Sequence, residues 1–281
     1  MKLRYSEAFY SVQGEGRWVG VPSLFLRVFG CNFECAGFGQ ERGKLIPVEE
    51  MPYNTDEKAD PNNELAYKSI EELPVTPIGC DSSASWSKKY KHLQLTKTPE
   101  EVFEHLVSLL PNGTFEGRHG EDIHLVITGG EPLLGWQRVW PSLLSMCKEV
   151  GLKNVTFETN GSKEVTPELI NYFNSPEGED IHVTWSTSPK LSLSGEKLED
   201  TLKPECLTSM NQVLNSYLYN KFVVRDIVDF EEVDMFVQAY KDARVIVDAV
   251  YCMPEGATFE QQTLTEKDVA EACMQTGYKF S

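Results

Sequence analysis

The stretch Ser23-Leu24-Phe25-Leu26-Arg27-Val28-Phe29 is apolar at almost every position and runs straight into Gly30-Cys31. Such a short continuous run predicts a strand buried on both faces, as in a parallel sheet. Further along, strand-like and helix-like patterns alternate. Pro99–Leu110 has helical spacing, and 122–127 is a strand that ends at Thr128-Gly129-Gly130. A helix is predicted over 137–150, a strand over 154–157 and a short helix over 168–173. Strands follow at 181–185, 219–224 and 245–251, with helices at 230–240 and 266–275. Repeated strand–helix units imply parallel strands joined by helical crossovers. The class is therefore α/β, read as one domain over residues 1–281.

One segment breaks the rhythm. Residues 36–79 hold Pro47, Pro52, Pro61, Pro74 and Pro77 among scattered charges, with little periodicity. This reads as an insertion wrapped on the surface rather than a domain with its own core.

Composition narrows the function. The 281 residues are 41% hydrophobic and carry a formal net charge of −17. That charge gives no general attraction to nucleic acid or to an anionic membrane, so neither is expected as a direct partner. No stretch approaches the length of a membrane-spanning helix. Met1 to Glu7 has no apolar run behind its charges, so no secretory leader is expected and the cytoplasm is the default location. The cysteines number seven, an odd count in a chain this long, which argues against a disulfide framework. Cys147, in an apolar helical stretch, reads as core.

Two patterns carry chemistry. Cys31 and Cys35 are four apart on a loop leaving a strand, a spacing at which thiolates can grip one metal or cluster; two incidental buried cysteines are the alternative. Thr128-Gly129-Gly130-Glu131-Pro132 follows another strand. Its glycines let the backbone approach a ligand closely, and Glu131 can accept from an ammonium group. Gly-Gly alone is often only a tight turn.

Together with these, the chain resembles the radical S-adenosylmethionine superfamily, and within it the 7-carboxy-7-deazaguanine synthase family. The matching pieces are Phe9 to Gly16, Gly20-Val21-Pro22, Arg27 to Asn32, Thr128 to Pro132, Glu158-Thr159-Asn160-Gly161, Ser186 to Lys190, Lys221 to Val224 and Met253-Pro254-Glu255-Gly256. The family has a third cysteine three residues after the second, where this chain has Phe38. The signature that normally follows the third cysteine occurs later, as Cys80-Asp81-Ser82. An insertion between the second and third ligands accounts for both.

The resemblance implies a partial, open (β/α) barrel of about six parallel strands with the site at the strands' carboxyl ends. It implies that Cys31, Cys35 and Cys80 hold a [4Fe–4S] cluster whose fourth iron chelates S-adenosylmethionine. An electron from the cluster breaks the sulfonium bond, and the resulting 5′-deoxyadenosyl radical abstracts a hydrogen atom from substrate. Gly129, Gly130 and Glu131 would lie along the methionine moiety, with Gly79 and Asp81 beside the third cysteine. Ser188, Pro189 and Lys190 would touch the same cofactor, and Met253, Pro254 and Glu255 its adenine side. Thr159 and Asn160 would line the pocket, although Asn-Gly is commonly only a turn.

For substrate, the resemblance implies a pterin held by Val12, Gln13, Gly14, Glu15 and Thr128, with its carboxylate on Arg27, whose guanidinium suits a planar anion. A surface salt bridge is the other reading of Arg27. Ser82 falls where the family ligates Mg²⁺, or is an ordinary turn serine. The implied reaction converts 6-carboxy-5,6,7,8-tetrahydropterin to 7-carboxy-7-deazaguanine with loss of ammonia. A reductant such as flavodoxin or ferredoxin and a homodimer are expected, as is a closing segment beyond Ser281 that reaches substrate. An anaerobic ribonucleotide reductase activase and a degenerate binding protein without a cluster are the rival readings.

Overall fold

The computed structural model describes residues 1–281. The chain opens with an antiparallel pair, β1 (Leu3–Val12) and β2 (Pro22–Val28), and β3 (Leu95–Lys97) adds to the outer side of β1. From β2 the sheet continues in parallel through β4 (His124–Gly129), β5 (Asn154–Thr159), β6 (His182–Thr187), β7 (Ser216–Val224), β8 (Ala249–Pro254) and β9 (Lys279–Phe280). Helices α1 (Pro99–Leu109), α2 (Trp140–Glu149), α3 (Pro167–Phe173), α4 (Pro204–Met210), α5 (Ile227–Asp242) and α6 (Phe259–Thr276) precede the successive strands from β4 to β9. From β2 onward each parallel strand lies beside the previous one in sequence order. Right-handed crossovers then put the helices on one face of the sheet.

Strand alternation sorts the side chains accordingly. Leu26, Ile127, Phe157, Trp185 and Phe222 point to the helices and join one large core with Leu144, Phe173, Leu207 and Phe236. The Phe157 and Trp185 rings stack there with centroids 5.0 Å apart. Burying each such side chain is worth about 1.5–3 kcal/mol. Local signals start and stop the helices. Thr98 and Glu101 form a capping box around Pro99 at the head of α1, and Thr258 with Gln261 does the same for α6. Gly277, at φ 81°, ends α6 in the left-handed conformation.

Two expectations change. The sheet has nine strands rather than about six, with β3 and β9 as its edges. The extra strands are the antiparallel β1 and β3 and the two-residue β9, and the arrangement is a large, mostly parallel open sheet rather than a demonstrated barrel. The 36–79 insertion is also not coreless. Met51, Tyr53 and Ala59 are buried with Tyr90 in a small separate cluster against which Trp86 packs. No helix is long and apolar enough to cross a membrane.

Candidate active site

The face of the sheet opposite the helices is polar. Arg27 lies beside Thr128 in register, and Glu7 faces Arg27 from β1. Glu158, Ser186 and Tyr219 form a continuous row across β5, β6 and β7. At the amino ends of the strands this face is covered by the β1–β2 turn, where Trp18 donates to Thr184 Oγ1 at 3.0 Å and packs edge-on against His124. At the carboxyl ends it opens into a cavity of about 630 Å³.

Cys31, Cys35 and Cys80 all line this cavity, and all are free thiols. Cys35 has φ 49°, a left-handed conformation rare for a side chain with a Cβ. Glu196 holds it there, accepting from the amides of Glu34 and Cys35 at 2.9 and 2.7 Å. Cys80 arrives from the far end of the insertion. The amide of Gly79 donates to the carbonyl of Phe38 at 2.7 Å, so the chain leaves at Phe38 and returns beside it. A Cβ on Gly39 would meet the Pro77 carbonyl at 2.3 Å, which shows how tightly the two ends are pressed together. The Gly39 amide donates to Glu255 at 2.9 Å and Gln261 donates to Pro77 at 2.9 Å, fastening both ends to the β8–α6 region. Burial pushes the Cys31 and Cys80 thiols up, to about 11 and about 12, and raises that of Cys35 as well; the Lys190 ammonium nearby acts in the opposite direction.

The glycine motif builds the opposite side. A Cβ on Gly130 would lie 2.1 Å from the Gly30 carbonyl, and one on Gly129 would lie 2.2 Å from that of Val28. Both positions must be bare because the ends of β2 and β4 are in backbone contact, sealed by Gly130 N to Val28 O at 3.1 Å and Glu131 N to Gly30 O at 2.7 Å. Glu131 itself is fully buried and does not line the cavity. Its carboxylate accepts from Leu133 N, Thr159 Oγ1 and Asn160 N at 2.9, 2.7 and 2.8 Å. It ties the β4 loop to the end of β5 instead of offering oxygens to a ligand ammonium. Asn160 reaches across to Asn32 at 3.2 Å, fixing the loop after Cys31.

Below the cysteines lies a buried charge cluster. Lys221 Nζ contacts Glu15 at 2.5 Å and Glu158 at 3.1 Å. Glu158 also accepts from Ser186 Oγ at 2.7 Å and Gln13 Nε2 at 3.3 Å. Lys221 holds the Glu15 carboxyl below its usual range, against the effect of burial. Burial alone would lower the Lys221 ammonium, but Glu158 and Glu15 outweigh it and raise it. Arg27 donates from Nε to Glu7 at 2.9 Å and from Nη1 to Ser82 Oγ at 3.2 Å, and Ser82 donates to Asp81 at 3.1 Å.

The cavity thus gathers Gln13, Glu15, Arg27, the three cysteines, Gly79, Asp81, Ser82, Thr128, Gly129, Gly130, Thr159, Asn160, Ser188, Lys190, Met253, Pro254 and Glu255. Val12, Gly14, Glu131 and Pro189 lie outside its lining, and Val12 is solvent-exposed. Lys190 points its ammonium to Ser188 Oγ at 3.0 Å, over the Phe38 ring. Glu255 is engaged by Arg225, with Nη2 to Oε1 at 2.8 Å. Glu158, Lys221, Arg225 and Trp86 also line the cavity and had been given no role from the sequence. The signal for Lys221 was present in the sequence as a lone charge beside the apolar run Phe222-Val223-Val224.

No family model matches the chain. Curated relatives do. It is 26% identical to the 7-carboxy-7-deazaguanine synthase of Halobacterium salinarum over 286 aligned residues, covering 99% of this chain and 87% of the relative. It is 27% identical to that of Pyrobaculum aerophilum, covering 100% and 91%. Among solved structures, QueE from Escherichia coli matches with a TM-score of 0.53 at 19% identity, covering 100% of this chain and 93% of that one. That likeness supports the shared fold. The chain is similar to these 7-carboxy-7-deazaguanine synthases along nearly its whole length.

Proposed function

We propose that the chain is a radical S-adenosylmethionine enzyme that converts 6-carboxy-5,6,7,8-tetrahydropterin to 7-carboxy-7-deazaguanine with loss of ammonia. The observation that carries this reading is that three free thiols, two from the loop after β2 and one from beyond the insertion, share one cavity with the Gly129-Gly130 backbone. No three His, Cys, Asp or Glu side chains converge as they would around a single ion. A [4Fe–4S] cubane spreads its thiolates over different irons, and Cys31, Cys35 and Cys80 are the cavity residues that would hold it. Three ligands also leave one iron open to the amino and carboxylate groups of S-adenosylmethionine.

The cluster and cofactor together would supply the reducing electron and the abstraction of a hydrogen atom. The chain's own residues do the rest. Gly129 and Gly130 let the end of β4 press against the β2 backbone, and both line the cavity beside Cys31. Lys190 places a positive charge near all three thiols and favours their ionised form. Arg27 lines the cavity with one edge of its guanidinium held by Glu7, which fixes its plane for a substrate carboxylate. Gln13 and Glu158, hydrogen-bonded to each other, offer an amide and a carboxylate to the polar edge of a pterin. The surroundings of Ser82 do not fit Mg²⁺. Its hydroxyl accepts from the Arg27 guanidinium, a cation that opposes a divalent ion at the same oxygen, and no step is routed through magnesium. A flavodoxin or ferredoxin would deliver electrons, and a homodimer would be the assembled form.

The test is anaerobic reconstitution with iron and sulfide, then reduction with S-adenosylmethionine and the carboxylated tetrahydropterin. Product formation supports the reading. Cofactor cleavage without product would point to another radical reaction, such as activation of a reductase. A protein that takes up no cluster would be the degenerate binder.

A further inference from the structure

Tyr53 from the insertion and Trp86 from the turn after Cys80 pack together beside the cysteines, and each carries a buried polar hydrogen with no oxygen or nitrogen acceptor. Tyr53 is fully buried, yet its hydroxyl is unpaired. The Trp86 indole N–H is likewise unpaired. The two rings meet edge-to-face with centroids 5.0 Å apart. Both lie against the Cys80 segment. A Cβ on Gly79 would fall 3.0 Å from Tyr53 Cε1 and 3.7 Å from its hydroxyl, and Trp86 lines the cavity beside Cys80. Leaving a buried donor unsatisfied costs about 1–3 kcal/mol, so two such donors side by side call for an acceptor.

We propose that Tyr53 and Trp86 are hydrogen-bond donors to the sulfurs of the bound cluster, and that the insertion supplies Tyr53 to raise the cluster's reduction potential. The inference rests on the cluster reading above. Cluster sulfurs gain negative charge on reduction, and donors aimed at them stabilise the reduced form. Neither residue contacts substrate; they are positioning residues that act through the cluster. Gly79 is bare because Met51 and Tyr53 press on it, with a Cβ there only 2.4 Å from Met51 Cε. The same packing that seats Cys80 therefore seats the donors.

The experiment is a redox titration of the reconstituted full chain as wild type, Tyr53→Phe and Trp86→Phe, with Tyr240→Phe as control. Tyr240 has the same buried, unpaired hydroxyl, but in the main core. Iron content and the visible spectrum are measured first; failure of the wild type to load a cluster overturns the cluster reading itself, and this inference with it. With clusters loaded, each donor variant should lower the reduced-to-oxidised ratio at a fixed potential by threefold or more, against tenfold for each 59 mV, roughly, in a one-electron couple. Tyr240→Phe should leave it unchanged. Loaded clusters in both donor variants with unchanged potentials, or an equal shift in Tyr240→Phe, would overturn the inference while leaving the cluster reading intact. A purely structural role would lower the melting temperature of the cluster-free protein and leave the potential where it was.

Discussion

The amide of Gly79 donates to the carbonyl of Phe38 at 2.7 Å, across forty intervening residues. That single bond makes the insertion an excursion that ends where it began. Phe38 occupies the position after Cys35 at which a third cysteine would normally stand, and Cys80 follows directly after its hydrogen-bonded neighbour. The chain's return therefore brings the Cys80 thiol into the cavity that Cys31 and Cys35 line.

Bypassing the insertion should therefore leave the thiol site assembled. Joining Phe38 to Gly79 through two glycines shortens the closed loop by several doublings, which by chain entropy alone favours the native state by roughly 2–3 kcal/mol. Lost packing of Met51 and Tyr53 against Gly79 acts in the opposite direction. The expected outcome is a folded chain that still takes up iron and sulfide, with a lower cluster potential. Loss of iron binding in a chain whose circular dichroism is otherwise native would contradict this picture.

The glycines of the β4 loop are needed for backbone contact before any ligand arrives. Gly130→Ala should lower the melting temperature and impair cluster loading, because its Cβ meets the Gly30 carbonyl at 2.1 Å. Gly14→Ala, with nothing within 4 Å of the added carbon, should leave stability unchanged. Differential scanning calorimetry on the cluster-free proteins separates the two.

The Lys221 cluster sets a pH window. Glu15 is depressed below its ordinary 4.5, so its contribution is complete above that pH and is lost as pH falls through the lower folded value. Lys221 is raised above its ordinary 10.5, so its contribution is complete below that pH and is lost as pH rises through the higher folded value. Lys221→Met should leave the mostly covered Glu158 and the partly exposed Glu15 without their cation and cost about 1–3 kcal/mol between those limits. Denaturant midpoints across pH should show the wild-type advantage flat in that range and shrinking in acid. A constant advantage down to pH 2 would refute the assignment.

Arg27 should divide substrate binding from cofactor cleavage. Arg27→Ala is expected to weaken substrate binding by about 2 kcal/mol or more, with uncoupled cleavage of S-adenosylmethionine retained. Calorimetric substrate titration beside the cleavage assay checks both, and unaltered substrate affinity would remove Arg27 from that role.

The central βα units were legible because β4 carries the apolar run Leu125-Val126-Ile127, β5 and β6 alternate Val155, Phe157, Val183 and Trp185 with polar residues, and β7 ends in Phe222-Val223-Val224, with helix-spaced segments between them. β1 was not. It mixes Arg4, Ser6 and Glu7 with apolar residues and carries an irregularity between Tyr5 and Glu7, as suits an antiparallel strand near the sheet edge. At the site, Asp81-Ser82 marks Cys80 in the sequence, and the structure places that thiol in the cavity with Cys31 and Cys35. Glu131 was misplaced because a motif shows residue order and not which way a carboxylate turns; three donors from the β4 and β5 loops decide that. Tyr53 could not be singled out, since its neighbours Gly79 and Trp86 become neighbours only when the insertion closes.

The most direct test of the central claim is the iron and labile sulfide content of Cys80→Ala, purified and reconstituted without oxygen beside the wild type. The wild type should hold about four irons per chain and cleave S-adenosylmethionine under reduction, as three thiolates and one open iron require. Cys80→Ala should fold, lose most of that iron and the visible absorbance, and cleave no cofactor. A variant that kept a full complement of iron and cleaved S-adenosylmethionine at the wild-type rate would show that Cys80 does not complete the site.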